Sequence, residues 1–429
     1  MGENMVGIST LYRDRIPGSI KYIIFIFIIN CSFTWAATME GVILDKLTNK
    51  PIISAIITAN GKEYRSDVNG YFQIPYTDII GIRAVGYERI FTNVKSKIYL
   101  KKFHPKALYL SSFGATNKNI MQNAKQIIHT TQINALVIDV KMDRGLVAFV
   151  PSSLEAKKIG ALKIVSFPDL KHFISELKQE GIYTIARIVC FKDIPFVRAY
   201  PQLGVKTSDG TLYKDREGSY WIDPSQKKAW EYILNIAEES AEAGFDEIQF
   251  DYVRFPDKKG LSFSVKNTQS ERVRIITEFL KYARLRLTPY NVFTAADIFG
   301  YVCWNDADLG IGQRVDYMAP YVDYISPMLY PSGFQVGIPG YPNPVQANYQ
   351  IVKHSLDKAL QKSGNSPLNY RPWLQAFKDY AFDRRNYGAK EISEQIRASE
   401  DFGSSGWMLW NAGNKYSADG IENDLISQK

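Results

Sequence analysis

The chain has 429 residues, of which 45% are hydrophobic and 22% charged, a composition typical of globular proteins that excludes the disordered and fibrous classes. The formal net charge of +8 is spread along the sequence, with no Lys/Arg run and no basic and aromatic module, so nothing indicates a nucleic-acid partner. The length predicts one large domain and one small domain.

The first 36 residues are typical of a secretory signal peptide. A basic stretch precedes the short apolar run Tyr22–Ile29, and the small residues Ala36 and Ala37 follow where cleavage would occur. The apolar run is too short to span a bilayer. An uncleaved membrane anchor and a lipoprotein attached through Cys31 are the alternatives. The sequence therefore predicts an exported protein that is periplasmic, associated with the cell envelope or extracellular.

The cysteines and histidines predict neither a disulfide framework nor a metal site. Beyond the signal peptide only Cys190 and Cys303 remain, and Cys190, in "IARIVC", is typical of a buried thiol. The four histidines lie far apart in the sequence without the spacing of metal ligands. We therefore expect no metal and no cofactor.

Residues 38–101 show the rhythm of a small all-β domain. Short alternating segments are separated by Asn-Gly and Asn-Lys-Pro turns every eight to twelve positions, which predicts a small antiparallel sandwich. The stretches "GVILDKLTNKPIISAII", "SDVNGYFQI" and "VGY" resemble carboxypeptidase-regulatory-like, transthyretin-like modules. This resemblance implies that Asp67 and Gly70 shape a turn, and that the domain serves attachment or spacing rather than catalysis.

Residues 105–425 alternate between strand and helix. Amphipathic stretches such as 226–244 and 270–287 separate the predicted strands. Eight repeats favour an α/β fold of the closed (β/α)₈ TIM-barrel type over an open doubly wound sheet, and "SSFGATNKN" lacks the glycine pattern of a phosphate-binding loop. The predicted strands are "ALYLSSF" (107–113), "NALVIDV" (134–140), "YTIARIV" (183–189), "FDEIQFD" (245–251), "NVFTAAD" (291–297), "VDYISPM" (322–328), "RPWLQAF" (371–377) and "GWMLW" (406–410).

Polar residues collect where these strands end, which is the end of a (β/α)₈ barrel that carries the active site. In "FDEIQFD" the two-residue period directs Ile248 and Phe250 outward, and it leaves Glu247, Gln249 and Asp251 inside with Asp251 nearest the mouth. A buried ion-pair network without a reaction is the alternative interpretation, weakest for Asp251 at its strand tip. The same test on the other strands adds Asp139, Lys141, Asp143, Arg187, Asp297, Gln375 and Asn411.

Aromatic residues near the strand ends indicate a site for sugar rings, whose CH faces stack on aromatic rings while their hydroxyl groups bond to polar side chains. Arg254 is expected to bind substrate or to hold a carboxylate ionised. The long segment 190–226 is expected to fold over the mouth as a substrate wall. The aromatic residues concerned are Trp221, Trp304, Trp373, Trp407 and Trp410, with Tyr252 and Tyr330 beside them.

The stretches "NALVIDVKMDRG", "IYTIARIVCFKD", "WIDP", "AGFDEIQFDYVRFP", "AADIFG", "VDYISPMLYPSGF", "RPWLQAF" and "GWMLWNAGNKY" resemble a family of bacterial domains described as glycoside hydrolases of uncharacterised specificity. The resemblance implies that Asp251 is the catalytic nucleophile and Asp297 the acid/base, with Glu247 as the rival acid/base. Two positions depart from the family: Gly333 stands where a histidine is expected, and Met142 stands where an acidic residue is common.

Three functions remain open from the sequence. The first is a glycoside hydrolase that cleaves a polysaccharide through two strand-tip carboxylates with retention of configuration. The second is a non-catalytic carbohydrate-binding barrel of the cell envelope. The third is a metal-assisted hydrolase or deacetylase that uses Asp139, Asp143 and Asp251, against which the lack of nearby histidines weighs. The expected partner is a carbohydrate polymer, and no partner protein is evident.

Overall fold

The computed structural model describes residues 37–422. The predicted signal peptide, residues 1–36, and the last three residues of the predicted 105–425 domain lie outside this range, so those boundaries stay predictions. No helix within residues 37–422 is both long and apolar enough to cross a membrane.

The N-terminal domain is a two-sheet β structure. One sheet has the order β4-β1-β7 and the other β3-β2-β5-β6, and side chains from both form one apolar core around Ile43, Phe72 and Ile82. β1 and β7 run parallel, so the expectation of a purely antiparallel sandwich is wrong at that edge. The strands are β1 (Thr38–Asp45), β2 (Ile56–Ala59), β3 (Lys62–Arg65), β4 (Tyr71–Pro75), β5 (Ile80–Arg83), β6 (Ile90–Thr92) and β7 (Lys97–Leu100).

The larger domain is a closed barrel of eight parallel strands in the order β8-β9-β10-β12-β14-β15-β16-β17, which confirms the predicted (β/α)₈ fold. The two remaining strands, β11 and β13, pair with each other outside the barrel. The strands are β8 (Lys106–Leu110), β9 (Ala135–Lys141), β10 (Tyr183–Val189), β11 (Lys206–Thr207), β12 (Glu247–Asp251), β13 (Leu261–Ser262), β14 (Phe293–Phe299), β15 (Tyr324–Met328), β16 (Trp373–Gln375) and β17 (Trp407–Trp410).

Amphipathic helices surround the barrel. α6 ends at Gly244, whose φ of 110° is readily adopted only by glycine, and this turn returns the chain to β12. The helices are α1 (Ser112–Thr116), α2 (Lys118–Thr130), α3 (Leu154–Lys158), α4 (Leu170–Gln179), α5 (Ile194–Ala199), α6 (Lys227–Ala243), α7 (Gln269–Leu287), α8 (Val315–Met318), α9 (Asn348–Ser363) and α10 (Ala389–Phe402).

The two faces of the barrel strands pack as their alternation predicts. Ile248 and Phe250 of β12 belong to the large core between strands and helices. Glu247 and Gln249 stand opposite Ile185 and Arg187 of β10, and Ile185 belongs to the separate cluster inside the barrel. The expectation that β12 has an apolar outer face and a polar inner face is therefore confirmed.

The N-terminal domain is bound to the N-terminal end of the barrel strands. Val85 and Phe103 pack against the cluster inside the barrel. Arg89 pairs with Asp246, 3.2 Å away, and donates a 2.9 Å hydrogen bond to the carbonyl of Phe245, just before β12. The opposite end of the barrel, where the predicted site lies, stays free of these contacts.

Candidate active site

A cavity of about 200 Å³ lies at the C-terminal end of the barrel strands. Phe299 and Met328 are two residues of the cavity wall that the sequence analysis did not predict. Each is the last residue of its strand, β14 or β15, and the position at a strand end could have identified them, as it identified the other site residues. The cavity is lined by Asp143, Arg187, Asp251, Tyr252, Arg254, Phe299, Met328, Tyr330, Trp373 and Trp410.

Arg187 on β10 connects three of the predicted carboxylates. Its Nη1 donates to Asp139 at 2.7 Å and its Nη2 to Asp143 at 2.9 Å. Its Nε and Nη2 both donate to Oδ2 of Asp251, at 2.9 and 2.6 Å. The ring of Trp410 lies 5.0 Å from the guanidinium carbon. Every nitrogen of Arg187 therefore binds a carboxylate, and four of its five N–H donors are occupied.

The carboxyl groups around Arg187 differ in pKa because they differ in exposure. Burial raises the pKa of Asp139 to about 6, although Arg187 attracts its charge and Tyr109 donates a hydrogen bond to it at 2.6 Å. For Asp143, whose side chain is 45% exposed, burial also opposes ionisation, but the attraction of Arg187 outweighs it and the pKa is lowered. Asp143 is therefore ionised, and Asp139 titrates near neutral pH.

Asp251 is held at the tip of β12 by a strained turn. Tyr252 follows it with φ of 50°, a left-handed conformation that is uncommon for a residue other than glycine. The turn lets the backbone N–H of Tyr252 donate to Oδ1 of Asp251 at 2.6 Å, while Arg187 occupies Oδ2. Both carboxylate oxygens therefore accept hydrogen bonds that fix their orientation, and the Asp251 side chain still lines the cavity.

Asp297 on β14 has the opposite environment. β12 and β14 pair in register up to Phe250 and Ala296, so Asp251 and Asp297 are the next residues side by side. Burial, followed by the charge of Asp251, raises the pKa of Asp297 well above its usual range. Trp373 donates to its Oδ1 at 2.8 Å, and its Oδ2 is buried without a partner among the described residues. Asp297 is therefore harder to ionise than an ordinary aspartate, and it stands next to a carboxyl group that accepts hydrogen bonds on both oxygens.

Arg254 lies across the cavity in a cage of aromatic rings. Its guanidinium carbon is 4.5 Å from the ring centre of Phe299, 4.7 Å from that of Trp221 and 5.3 Å from that of Tyr252. The sequence predicts Trp221 at the mouth, but Trp221 does not line the cavity and instead supports Arg254 from behind. Asp215 accepts a hydrogen bond from the indole N–H of Trp221 at 3.0 Å.

Lys141 does not reach the mouth, so its predicted role in substrate binding is wrong. The register between β9 and β10 shifts after the pair Asp139 and Arg187, and Lys141 then stands opposite Ile188. This bulge turns Lys141 out of the barrel, where its Nζ lies 2.9 Å from Asp193 and the side chain has no exposure.

Glu247 and Gln249 lie too deep to act at the mouth, so their predicted roles are also corrected. Glu247 is fully buried and binds Arg371 and the hydroxyl of Tyr183. It lies four residues before Asp251, which is about 13 Å along a strand. Gln249, two residues before Asp251, contacts Ser326 with its amide group at 3.4 Å inside the barrel.

The amides predicted on the last strands hold loops rather than the cavity wall. Gln375 is fully buried and bonds to Ser332 and to the carbonyl of Phe377. Asn411 donates to the carbonyls of Ala376 and Lys415. Neither lines the cavity, and their assignment to substrate binding stays a prediction.

The expected aromatic mouth is smaller than the sequence predicts. Trp373, Trp410, Tyr252 and Tyr330 line the cavity, but Trp304 bonds to Ser355 of α9 and Trp407 to Glu400 of α10 on the outer side of the barrel. The long segment 190–226 likewise contributes no residue to the cavity wall. Its position behind Arg254, through Trp221, makes it a support rather than a wall.

The three carboxylates that the metal-assisted hypothesis uses as metal ligands surround the guanidinium of Arg187 instead. Asp139, Asp143 and Asp251 all bind Arg187, so a fixed positive charge already occupies the space between them. Across residues 37–422 no group of three His, Cys, Asp or Glu side chains is arranged to hold a metal ion.

The fold and the site define a (β/α)₈ barrel with a cavity at the C-terminal end of its strands whose lining combines carboxylates, guanidinium groups and aromatic rings, at the position of the active site in enzymes of this fold. Residues 107–416 match the family model described as "Putative glycosyl hydrolase domain". The chain belongs to this family, which confirms the resemblance seen in the sequence.

Solved structures show similarity at two levels. A hypothetical protein from Ruminiclostridium thermocellum is 36% identical over 44% of this chain and 96% of its own, with a TM-score of 0.40. The PgaB glycoside hydrolase domain from Bordetella bronchiseptica is 12% identical over 74% of this chain and 99% of its own, with a TM-score of 0.50, which supports the barrel fold. No curated protein matches the chain significantly in sequence.

Proposed function

We propose that this protein is a retaining glycoside hydrolase that cleaves a carbohydrate polymer, with Asp251 as the nucleophile and Asp297 as the acid/base. Membership of the glycosyl hydrolase family supports the reaction class. The observation that carries the assignment is the contrast between two neighbouring carboxyl groups: Asp251 accepts hydrogen bonds on both oxygens, whereas Asp297 is buried and its pKa is raised by that burial and by the charge of Asp251.

Asp251 has the properties of the attacking group. Arg187 and the N–H of Tyr252 hold its carboxylate in one orientation, and the side chain borders the cavity. An ionised carboxylate in that place can attack the anomeric carbon and form a covalent glycosyl intermediate. Because four of its five N–H donors bind carboxylates, the main role of Arg187 is to position Asp251.

Asp297 has the properties of the proton donor. A general acid must hold its proton until the leaving group departs, and burial, followed by the charge of Asp251, favours this by raising the pKa of Asp297. Tyr330 lines the cavity, and burial, followed by the charges of Asp297 and Asp251, raises the pKa of its phenol. Because Tyr330 shares the cavity wall with Asp251, Tyr330→Phe should lower kcat more than it changes KM.

The strand register supports retention of configuration. Neighbouring strands lie about 4.8 Å apart, and Asp251 and Asp297 project from corresponding positions of two such strands. Their carboxyl groups are therefore separated on the order of 5 Å, which is the range of retaining enzymes, whereas inverting enzymes need about 6.5 to 9.5 Å to admit a water.

A non-catalytic carbohydrate-binding barrel is the second candidate, and one observation favours it. Asp297 is only 1% exposed and contributes nothing to the cavity wall. A proton donor that cannot reach the glycosidic oxygen would leave a site that holds a sugar without cleaving it.

A screen of defined glycans tests the proposal, with the anomer of the first product detected by NMR. We expect the wild-type protein to release a product with the configuration of its substrate, and Asp251→Asn to bind without turnover. Asp297→Ala should lower kcat/KM by about 10²- to 10⁴-fold, least for substrates with good leaving groups, and azide should restore part of its activity.

Asp306→Asn provides the matched control, since the Asp306 side chain is 98% exposed. Inversion of configuration would refute the retaining mechanism. Binding without turnover by the wild-type protein would favour the binding barrel. We also propose export, on the sequence of residues 1–36 alone, and N-terminal sequencing of secreted protein tests it.

A further inference from the structure

Two guanidinium groups line the cavity, and only one of them forms ion pairs with carboxylates of the described range 37–422. Arg187 donates to three carboxylates. Arg254 is only 7% exposed, yet its guanidinium forms no ion pair with any residue of the described range 37–422, and its one hydrogen bond joins Nη1 to the carbonyl of Phe255 at 3.1 Å. Its Nε and Nη2 have no protein acceptor in that range.

The surroundings of Arg254 stabilise its charge without satisfying its N–H groups. The faces of Trp221, Tyr252 and Phe299 attract the cation. Ring faces accept no strong hydrogen bonds, so the cage leaves the remaining donors unpaired. Because an unpaired buried charge is costly, the arrangement indicates a partner that arrives through the cavity, whose wall includes Arg254.

We propose that Arg254 binds an anionic substituent, a carboxylate or a sulfate, on the sugar ring that lies beside Asp251. The planar fork of an arginine matches two oxygens of such a group. Arg254 and Asp251 line the same cavity of about 200 Å³, which holds roughly one sugar ring, so one ring can present its anomeric carbon to Asp251 and its charged substituent to Arg254.

The charges of the site are compatible with an anion at Arg254. Asp143 and Asp251 are both bound to Arg187, which offsets part of their repulsion. The chain carries a net charge of +8, which attracts an acidic polymer. The inference rests on the proposed function, and it narrows the substrate to an acidic polysaccharide.

Binding of free monosaccharides tests this without turnover, because they contain no glycosidic bond. The wild-type protein is titrated by calorimetry with D-glucuronate, D-galacturonate and D-glucose 6-sulfate, and with D-glucose and D-galactose, at one ionic strength. We expect at least one acidic sugar to bind about tenfold or more tightly than its neutral counterpart. Preference for the uronates identifies a carboxylate, and preference for the 6-sulfate identifies a sulfate.

Variants assign the preference to Arg254. Arg254→Gln should abolish it, Arg254→Lys should retain part of it, and Arg198→Gln, which removes an exposed arginine, should leave it unchanged. If Arg254→Gln does not fold, the wild-type titrations and a reduced preference in Arg254→Lys still decide whether Arg254 binds the acidic substituent. A preference that persists in Arg254→Gln overturns the proposal, as does a wild-type protein that binds no acidic sugar more tightly than its neutral counterpart.

The outcome is separable from that of the proposed function. Acidic-sugar preference without hydrolysis of any glycan would support the role of Arg254 and refute the hydrolase. Hydrolysis of a neutral glycan without any acidic-sugar preference would support the hydrolase and refute the role of Arg254.

Discussion

Replacing Arg187 with methionine tests whether one guanidinium holds the acidic site together. The substitution keeps most of the apolar stem of the side chain and removes the four hydrogen bonds to Asp139, Asp143 and Asp251. The three carboxylates then face one another without a counter-ion. We expect a less stable protein, and an Asp251 that is no longer held in one orientation and is therefore a weaker nucleophile.

The size of the stability loss follows from the exposure of the three carboxylates that bind Arg187. The pair with Asp143 contributes little, because that side chain is 45% exposed. The side chains of Asp139 and Asp251 are only 5% and 10% exposed, and removing one partner of a buried ion pair costs about 3 to 5 kcal/mol. For a chain of this length that lowers Tm by about 4 to 6 °C at pH 7.

The loss must depend on pH with a definite sign. Burial already raises the pKa of Asp139 to about 6 although Arg187 opposes it, and without Arg187 this pKa rises further. The folded variant then retains a proton that the folded wild type releases, so the stability of the variant relative to wild type falls as pH rises above about 6, and this part of the difference is absent at about pH 4. Activity should also fall, because Asp251 is no longer held in one orientation by Arg187.

Urea unfolding at several pH values, with a pH profile of activity, measures both effects. Arg198→Met is the control, because Arg198 is exposed and outside the cavity. Equal stability of Arg187→Met and wild type at pH 7, or a loss of the same size at pH 4 and pH 7, would refute the argument.

Three further predictions concern stability. Burial raises the pKa of Asp139 to about 6 from an ordinary 3.8, so its contribution to the free energy of unfolding falls by about 3 kcal/mol as pH rises between these values. Asp139→Asn should therefore flatten that part of the profile of urea midpoint against pH, and an unchanged profile would contradict this prediction. Arg89→Ala removes the ion pair with Asp246 and the hydrogen bonds to barrel carbonyls, and it should lower the free energy of unfolding in urea by about 2 to 4 kcal/mol. A smaller loss of stability than that of the control variant Glu88→Ala would argue against the contact between the two domains through Arg89. Glu247→Gln leaves Arg371 buried without its charged partner and should cost about 3 to 5 kcal/mol in urea unfolding. Because the charge of Glu247 helps to raise the pKa of Asp297, the basic limb of the activity profile should move slightly to lower pH, whereas loss of all turnover in a folded variant would return Glu247 to the catalytic site.

Alternation along single strands could be predicted because it is local. The predicted strand 183–189 coincides with β10, and the inner and outer faces of β12 follow from a period of two residues. The same rule placed Asp251 at the strand tip and beside the cavity. Lys141 shows its limit, since a bulge in β9 reverses the alternation and depends on pairing with β10 rather than on the residues of β9 themselves.

The sequence by itself determined that this chain forms a barrel with carboxylates at its strand ends, because hydrophobic periodicity and strand ends are properties of short segments. Only the tertiary structure decided which charges pair. Glu247 is neutralised by Arg371, 124 residues away, and Asp251 by Arg187, 64 residues away. Arg254 instead meets three aromatic rings and no carboxylate among the described residues. Such partners are set by the closure and register of the barrel, and no local pattern encodes them.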